Sequence, residues 1–399
     1  MLRVLTLSTL FPNAVRPTLG PFVERQTIGL AARAGVAVEV VAPVGLPPWP
    51  LSHHPHYAPL RALPEREVWK GLAVHRPRYR VWPLVGAAAT PAAIARALLP
   101  RLKDIRERFP FDVIDAEFFW PDGPAAMQLA RALGVPFSIK ARGSDIHYWA
   151  MRPRTRAQVI AAGHAADGLL AVSAALRDDM AALGLPADSI RVHHTGIDLE
   201  RFRPVDRKPA KAALGMSGPL LIAVGTLMER KGQRLAVEAL TELTEASLIL
   251  VGGGPDRPVL ERLARKLGVQ ERVRILGVRP HEDLPALLAA ADVAVQPSAS
   301  EGLANVWVEA LACGTPVVTC AVGGARNVID RPAAGRLVAR NAQAIVAAVA
   351  DLLASPPPQA EVRGAAEKFS WDRNAEELEA HLRALVAARQ PMKGRVTGP

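Results

Sequence analysis

The sequence predicts an α/β protein built from two doubly wound parallel sheets. Short aliphatic or β-branched runs alternate with longer helical patterns along nearly the whole chain, the pattern of β-α-β units around parallel strands. The series halts at GIDLERFRPVDRKPAKAALGMSGP (196–219), rich in Pro, Gly and charge, and then restarts, so the halves read as two domains joined by a linker. At 399 residues the chain also exceeds one core of about 100–200 residues.

In the first half the strand runs are RVLTLS (3–8), VAVEVVA (36–42), FDVIDA (111–116), PFSIKA (136–141), GLLAVS (168–173) and IRVHHT (190–195). Between them lie amphipathic helices such as PFVERQTIGLAARA and DGPAAMQLARALG, the latter closing on Gly134 as a helix C-cap. The second half restarts at PLLIAVG (219–225) and continues through SLILVG, VRILG, DVAVQPS and TPVVT. SPPPQ (355–359) breaks the chain before two terminal helical segments, and no internal repeat is visible. The expected domains are 1–204 and 205–370, followed by a last segment, 371–399. Ligands of open α/β sheets bind beyond the carboxyl ends of the strands, so the chemistry is expected there.

Composition narrows the class. With 50% hydrophobic residues the chain is neither disordered nor collagen-like. Cys313 and Cys320 are too few for a disulfide framework and fit no zinc spacing, which points to a reducing compartment. No apolar run approaches the roughly 20 residues of a membrane span, and the N-terminus lacks a long apolar segment before Asn13 and Arg16, so a cytoplasmic protein is expected. Residues 61–108 carry eleven basic residues against four acidic, next to the apolar stretch GLPPWPLSHHPHYAPL (45–60). Trp49, Leu51, Tyr57 and Leu60 beside Arg61, Arg66, Lys70, Arg76, Arg78 and Arg80 suit an anionic membrane surface; a solvated basic face is the plain alternative. No helix-turn-helix, zinc or aromatic-stacking signature supports nucleic acid.

The most informative segment is PSASEGLANVWVEALACGTPVV (297–318): a strand ends at Pro297, a loop carries Glu301 and Gly302, and a helix runs from about Ala304 to Cys313, with Glu309 one turn inside it. The N–H groups at that helix start offer an anion site for a phosphate, and a carboxylate a turn further accepts hydrogen bonds from a vicinal diol such as a ribose. Taken alone, Glu309 reads as a surface helix residue and Glu301 as a first-turn residue favoured by the helix dipole.

The segment resembles the E-x(7)-E signature of the retaining glycosyltransferases of family 4, which have the GT-B fold of two Rossmann-like domains facing across a cleft. STLFPNAVRPTLGPFVERQ is similar to their acceptor-side glycine loop and first helix, LLIAVGTLMERKG to their diphosphate-binding strand and loop, and AVSAALRDDMAALGLPADSIRVHHTGIDLERFRP to their interdomain region. VGGGPDRPVLERLA and VRILGVRPHEDLPALLAAADVAVQPS resemble their nucleotide-side strands, and FSWDRNAEELEAHL a C-terminal helix that returns to the N-terminal domain. Residues 1–45 and 110–390 are covered.

The resemblance implies roles. Lys231 pairs with the donor diphosphate, Glu309 binds the ribose hydroxyls, and Glu301 faces the donor sugar, whose hydroxyls also meet the amides of Gly302, Leu303, Ala304 and Asn305. Gly225, Thr226, Arg230 and Leu276 complete the donor side. Gly20 lets backbone approach the diphosphate or acceptor. Two departures stand out. Thr226 follows Gly225 where many relatives have arginine, with Arg230 as the candidate replacement. Arg142 stands where many have histidine; it cannot serve as a base, so it either binds an acidic group with Asp145 orienting it or forms a structural Arg142–Asp145 pair.

The expected activity is transfer of a hexosyl group from a nucleoside diphosphate sugar to a glycan or lipid-linked acceptor, in cell-envelope or exopolysaccharide assembly. It needs no cofactor and no metal: no D-x-D pair occurs, and His53, His54 and His56 lack acidic companions. Location is expected to be cytoplasmic, peripheral on the inner membrane face. A nucleotide-sugar 2-epimerase and a silent sugar-nucleotide-binding subunit are the alternatives. VGGGPDR has Arg257 in the third glycine place, a poor dinucleotide fingerprint, and Cys313 reads as a buried small residue, not a nucleophile.

Overall fold

A computed structural model describes residues 1–82 and 86–389; positions 390–399 of the expected last segment lie outside the described residues. The chain divides into two units: Met1–Gly196 together with the helix that starts at Trp371, and Ile197–Ser370. The boundary falls at Gly196/Ile197, not at 204/205, because Ile197 and Phe202 are buried in the core of the second unit. The expected linker is therefore partly structural, and it carries a helix, Arg207–Ala213, with Asp206 accepting the Lys208 N–H at its start.

The first unit contains strands β1 (Leu2–Leu7), β2 (Val36–Val41), β3 (Val44–Leu46), β4 (Arg66–Trp69), β5 (Leu72–His75), β6 (Arg78–Arg80), β7 (Val113–Ala116), β8 (Phe137–Ala141), β9 (Gly168–Ala171) and β10 (Ile190–Val192). Eight form a sheet in the order β10-β9-β8-β7-β1-β2-β5-β4, parallel except for the edge strand β4; β3 and β6 pair separately. The central strands are buried on both faces, which is why they read as continuous aliphatic runs. The helix Trp371–Arg389 places Leu378 and Leu382 against Leu2, Val4, Leu30 and Val113.

Strands β3 to β6 were not expected. They are three or four residues long, and β4 and β6 carry exposed or half-buried charged residues, so no periodicity announces them. The β4–β5 hairpin turns at Lys70 and Gly71, both at positive φ. These strands also reassign the basic stretch. Arg76 is fully buried, paired with Glu67 and donating to the Pro12 carbonyl; Arg78 caps the carbonyls of Arg76 and Leu63; Lys70 binds Glu24; and Leu60 belongs to a small core. Four of the ten residues expected to face lipid thus serve the fold. Trp49 (79% exposed) and Leu51 (50%) remain at the surface.

The second unit is one parallel sheet: β11 (Leu220–Val224), β12 (Ser247–Val251), β13 (Val273–Gly277), β14 (Val293–Gln296), β15 (Val317–Cys320) and β16 (Gly335–Val338), ordered β13-β12-β11-β14-β15-β16. The aliphatic strand residues form two cores, one on each face. β16, GRLV, is half-exposed at the edge and was not among the expected strands.

Candidate active site

Topology decides where a ligand can sit in each sheet. In the second unit β11 lies between β12 and β14, so the strand order reverses at β11/β14 and leaves a crevice beyond their carboxyl ends. Two loops meet there: 225–232 after β11 and 297–304 after β14.

Their approach is close. A Cβ on Gly232 would lie 2.3 Å from the Pro297 carbonyl oxygen, so only glycine lets the turn Glu229–Lys231 rest against the end of β14. The Ala299 N–H donates to the Arg230 carbonyl at 2.8 Å, and Arg340 clamps both loops by donating to the carbonyls of Pro297 (3.2 Å) and Glu229 (2.8 Å). On the far side a Cβ on Gly323 would meet the Glu301 carbonyl at 2.0 Å, and the Gly324 N–H donates to the Gly302 carbonyl at 2.6 Å. The loop bearing Glu301 is thus held from two sides.

The result is an ion pair between residues 70 apart in sequence: Lys231 Nζ donates to Glu301 Oε1 at 2.6 Å, both side chains partly open to water. Arg230 donates to the Ser300 carbonyl, on the loop that carries Glu301, at 2.5 Å. The helix Asn305–Ala312 starts beside them with Ala304 as its N-cap and no side chain accepting from its first N–H groups. Its buried face (Trp307, Val308, Leu311) fixes it in the core, and Glu309 points to His281, whose Nε2 is 2.8 Å from Glu309 Oε1. Thr226 is exposed and Leu276 half-buried against the core. The arrangement offers one ammonium and a row of open amides to an anion.

The first unit has the same reversal at β1/β7, filled differently. Glu117, just after β7, is fully buried and takes hydrogen bonds from the Arg142 guanidinium and the Gln26 amide; Arg142 also donates to the Glu117 carbonyl and lies over the Phe22 ring. The expected Arg142–Asp145 side-chain pair is not formed. Asp145 instead accepts N–H groups of Phe119, Arg142, Gly143 and Ile146, because a buried carboxylate in a tight turn is satisfied by backbone donors first. Lys140 continues the network to Gln26 (2.6 Å) and to His193 Nδ1 (2.8 Å), and His193 Nε2 donates to the Asn374 carbonyl of the terminal helix.

Burial dominates the electrostatics there. It pushes the Lys140 ammonium down to about 7, with Arg142 adding repulsion. Burial and then Glu117 raise Asp115 well above the carboxylate range; Glu117 itself is pushed up by burial but held low by Arg142 and Lys140. Cys313 is buried, its thiol pushed up to about 12 mainly by desolvation, which suits packing and not nucleophilic attack. Among the described residues no three His, Cys, Asp or Glu side chains stand close enough to hold a metal; His53 and His56 instead meet Arg61 and Arg16.

Lys231, Glu301, Arg230 and the 302–305 amides therefore gather at one crevice of the second unit, with Glu309 on the helix that starts there, while Gly20, Arg142 and Asp145 belong to the first. Sequence reasoning missed Glu117, His281, Gly323 and Arg340. The glycine pair 323–324 after a strand was a readable signal; Glu117, inside the apolar run DAEFFW, was another, since a carboxylate in such a run needs a buried partner. Arg340 and His281 carried none.

A family model described as Glycosyl transferases group 1 matches residues 205–369, and one described as Glycosyltransferase Family 4 matches residues 23–201. The chain is 32% identical over 334 residues to D-inositol 3-phosphate glycosyltransferase 1 of Catenulispora acidiphila, covering 75% of this chain and 80% of that protein. It is 32% identical over 299 residues to the GDP-mannose-dependent alpha-(1-6)-phosphatidylinositol monomannoside mannosyltransferase of Mycolicibacterium smegmatis, covering 69% of this chain and 78% of that one. Among solved structures it resembles in fold the sucrose-phosphate synthase of Thermosynechococcus elongatus, with TM-score 0.76 at 24% identity over 97% of this chain and 100% of the other. The chain belongs to glycosyltransferase family 4, and its two parallel-sheet units are those of the GT-B fold.

Proposed function

We propose that the protein is a retaining hexosyltransferase that moves a sugar from a nucleoside diphosphate donor to an acceptor hydroxyl during cell-envelope or exopolysaccharide assembly, without a metal. The observation that carries this reading is the Lys231–Glu301 pair at the β11/β14 crevice beside uncapped helix amides. A departing diphosphate needs positive charge where its own charge develops, and an ammonium with fixed N–H dipoles supplies it. Donor binding shares Lys231 between the diphosphate and Glu301, leaving Glu301 to face the sugar; Glu309 exchanges His281 for the ribose hydroxyls. Glu301 is read as a binding group and not as a covalent nucleophile. Front-face substitution follows, in which the leaving phosphate accepts the acceptor's proton. The relative from Mycolicibacterium smegmatis is named for GDP-mannose and phosphatidylinositol monomannoside, which supports a nucleotide-sugar donor and an envelope acceptor.

The test is transfer of isotopic sugar from nucleotide sugars to acceptors, with the product anomer read by NMR. An axial donor should give an axial product with chelator present. Inverted products, epimerised donor, or activity restored only by manganese would overturn the reading.

The acceptor unit is proposed to work at the cytoplasmic membrane face, through Trp49 and Leu51 beside Arg61. No helix among the described residues is long and apolar enough to cross a membrane. Vesicle co-sedimentation should rise with anionic lipid, fall with salt, and drop when Trp49 and Leu51 become Ser; equal binding to neutral vesicles would remove this role.

A further inference from the structure

Lys231 and Glu301 hang from different strands, so their 2.6 Å contact depends on how closely the loops 225–232 and 297–304 approach. Two of the ties between them are made by the loops themselves: the Ala299 N–H donates to the Arg230 carbonyl, and Arg230 Nη1 donates to the Ser300 carbonyl. A third comes from outside both. Arg340 Nε donates to the Pro297 carbonyl at 3.2 Å and its Nη2 to the Glu229 carbonyl at 2.8 Å, so one planar guanidinium joins the end of β14 to the turn Glu229–Lys231. A lysine, with a single nitrogen and no planar fork, does not reproduce that span.

The base of this arm is rigid. Arg340 follows β16, whose Val338 is in register with Cys320 of β15, and precedes the helix Ala342–Ala354. Asn341 caps that helix by accepting the Ala344 N–H at 2.8 Å, and Ile345, Val349 and Leu352 bury it in the same core as Leu221, Val293 and Val295 of β11 and β14. A side chain rooted between a paired strand and a packed helix holds its partners more precisely than two loops hold each other. Among the described residues Arg340 forms no ion pair; its bonds end on backbone carbonyls, and the side chain is exposed, so the core does not depend on it.

We infer that Arg340 is a positioning residue of the donor site: from β16, two strands beyond β14, it sets the gap between the two loops and through it the Lys231–Glu301 geometry. The inference rests on the reading that Lys231 meets the donor diphosphate, and it adds a residue that touches neither Lys231 nor Glu301.

Two measurements on the full chain test it. Hydrogen exchange at the Ala299 amide reports the approach of the loops without any ligand: Arg340→Ala should speed it about 10-fold and Arg340→Lys less, with the urea midpoint unchanged. A double-mutant cycle with Lys231→Ala then reads the coupling as calorimetric affinity for GDP, UDP, ADP and dTDP. In the otherwise unsubstituted chain Arg340→Ala should weaken the bound nucleotide about 5- to 10-fold and lower turnover at saturating donor about 10- to 100-fold, Arg340→Lys recovering part of both; beside Lys231→Ala it should cost less than about 2-fold more. Equal losses with and without Lys231, or an Ala299 amide that exchanges at the unsubstituted rate, overturn the proposal. A chain that binds no nucleoside diphosphate would instead sink the donor reading, with Ala299 exchange still deciding whether Arg340 sets the loops.

Discussion

The carboxyl ends of β1/β7 and of β11/β14 are the same place in two sheets of the same design, and they are finished in opposite ways. In the first unit the charges turn inward. Arg142 and Glu117 pair in a buried network that Gln26, Lys140 and His193 continue, with Arg142 6% exposed and Glu117 not at all. In the second unit one pair, Lys231 and Glu301, is left where water reaches it, beside amides that nothing caps. A closed network resists change because each member is the only compensation for another; an open pair can exchange its partner for a ligand at little cost. Buried charge at a switch point therefore speaks for architecture, and half-buried charge for chemistry.

The largest expected effect breaks the closed end. Glu117→Ala leaves the Arg142 guanidinium buried without its carboxylate and should cost about 3–5 kcal/mol of stability, read as a shift in urea midpoint. A change under 1 kcal/mol would mean that the network is not structural. Lys231→Ala tests the open end: turnover at saturating donor should fall about 10²- to 10³-fold while stability changes by no more than about 1–2 kcal/mol. Unfolding of this variant, with activity per folded molecule unchanged, would erase the contrast.

A third, smaller effect sharpens it. Asp122 follows β7, is fully buried, and accepts the Thr9 N–H at 3.0 Å; desolvation pushes its carboxyl up from 3.8 to about 7. With the folded value above the unfolded one, the stability that the protonated form contributes is complete below about 4 and is lost as pH rises through about 7. Between pH 5 and pH 8 that loss should be roughly 2–3 kcal/mol, and Asp122→Asn, which keeps an acceptor for Thr9, should flatten it. Urea midpoints at the two pH values check this; an unchanged slope in the variant would place the pH dependence elsewhere.

Much of this was readable in one dimension. Strands such as LLIAV and SLILV are buried on both faces, so burial itself writes the aliphatic run, and the glycines and carboxylates of 297–318 mark a loop-to-helix turn whose spacing is local. Four residues of the basic and apolar constellation at 49–80 serve the fold instead, because composition does not say which charges meet a partner. Arg76 looked like Arg80, and only the Glu67 carboxylate and the Pro12 carbonyl distinguish the buried post from the exposed side chain.

The sequence by itself determined the two parallel-sheet units, the family and the loop that carries Glu301 and Glu309, because those features depend on hydrophobic period and on residues close along the chain. Only the tertiary structure decided that Lys231 meets Glu301, that Arg142 is held by Glu117 and not by Asp145, and that Ile197 and Phe202 belong to the second core. These are pairings across 25 to 70 residues or choices between packing faces. They are set by which strands lie side by side and by the cost of leaving a buried charge unpaired, and neither is written in local spacing.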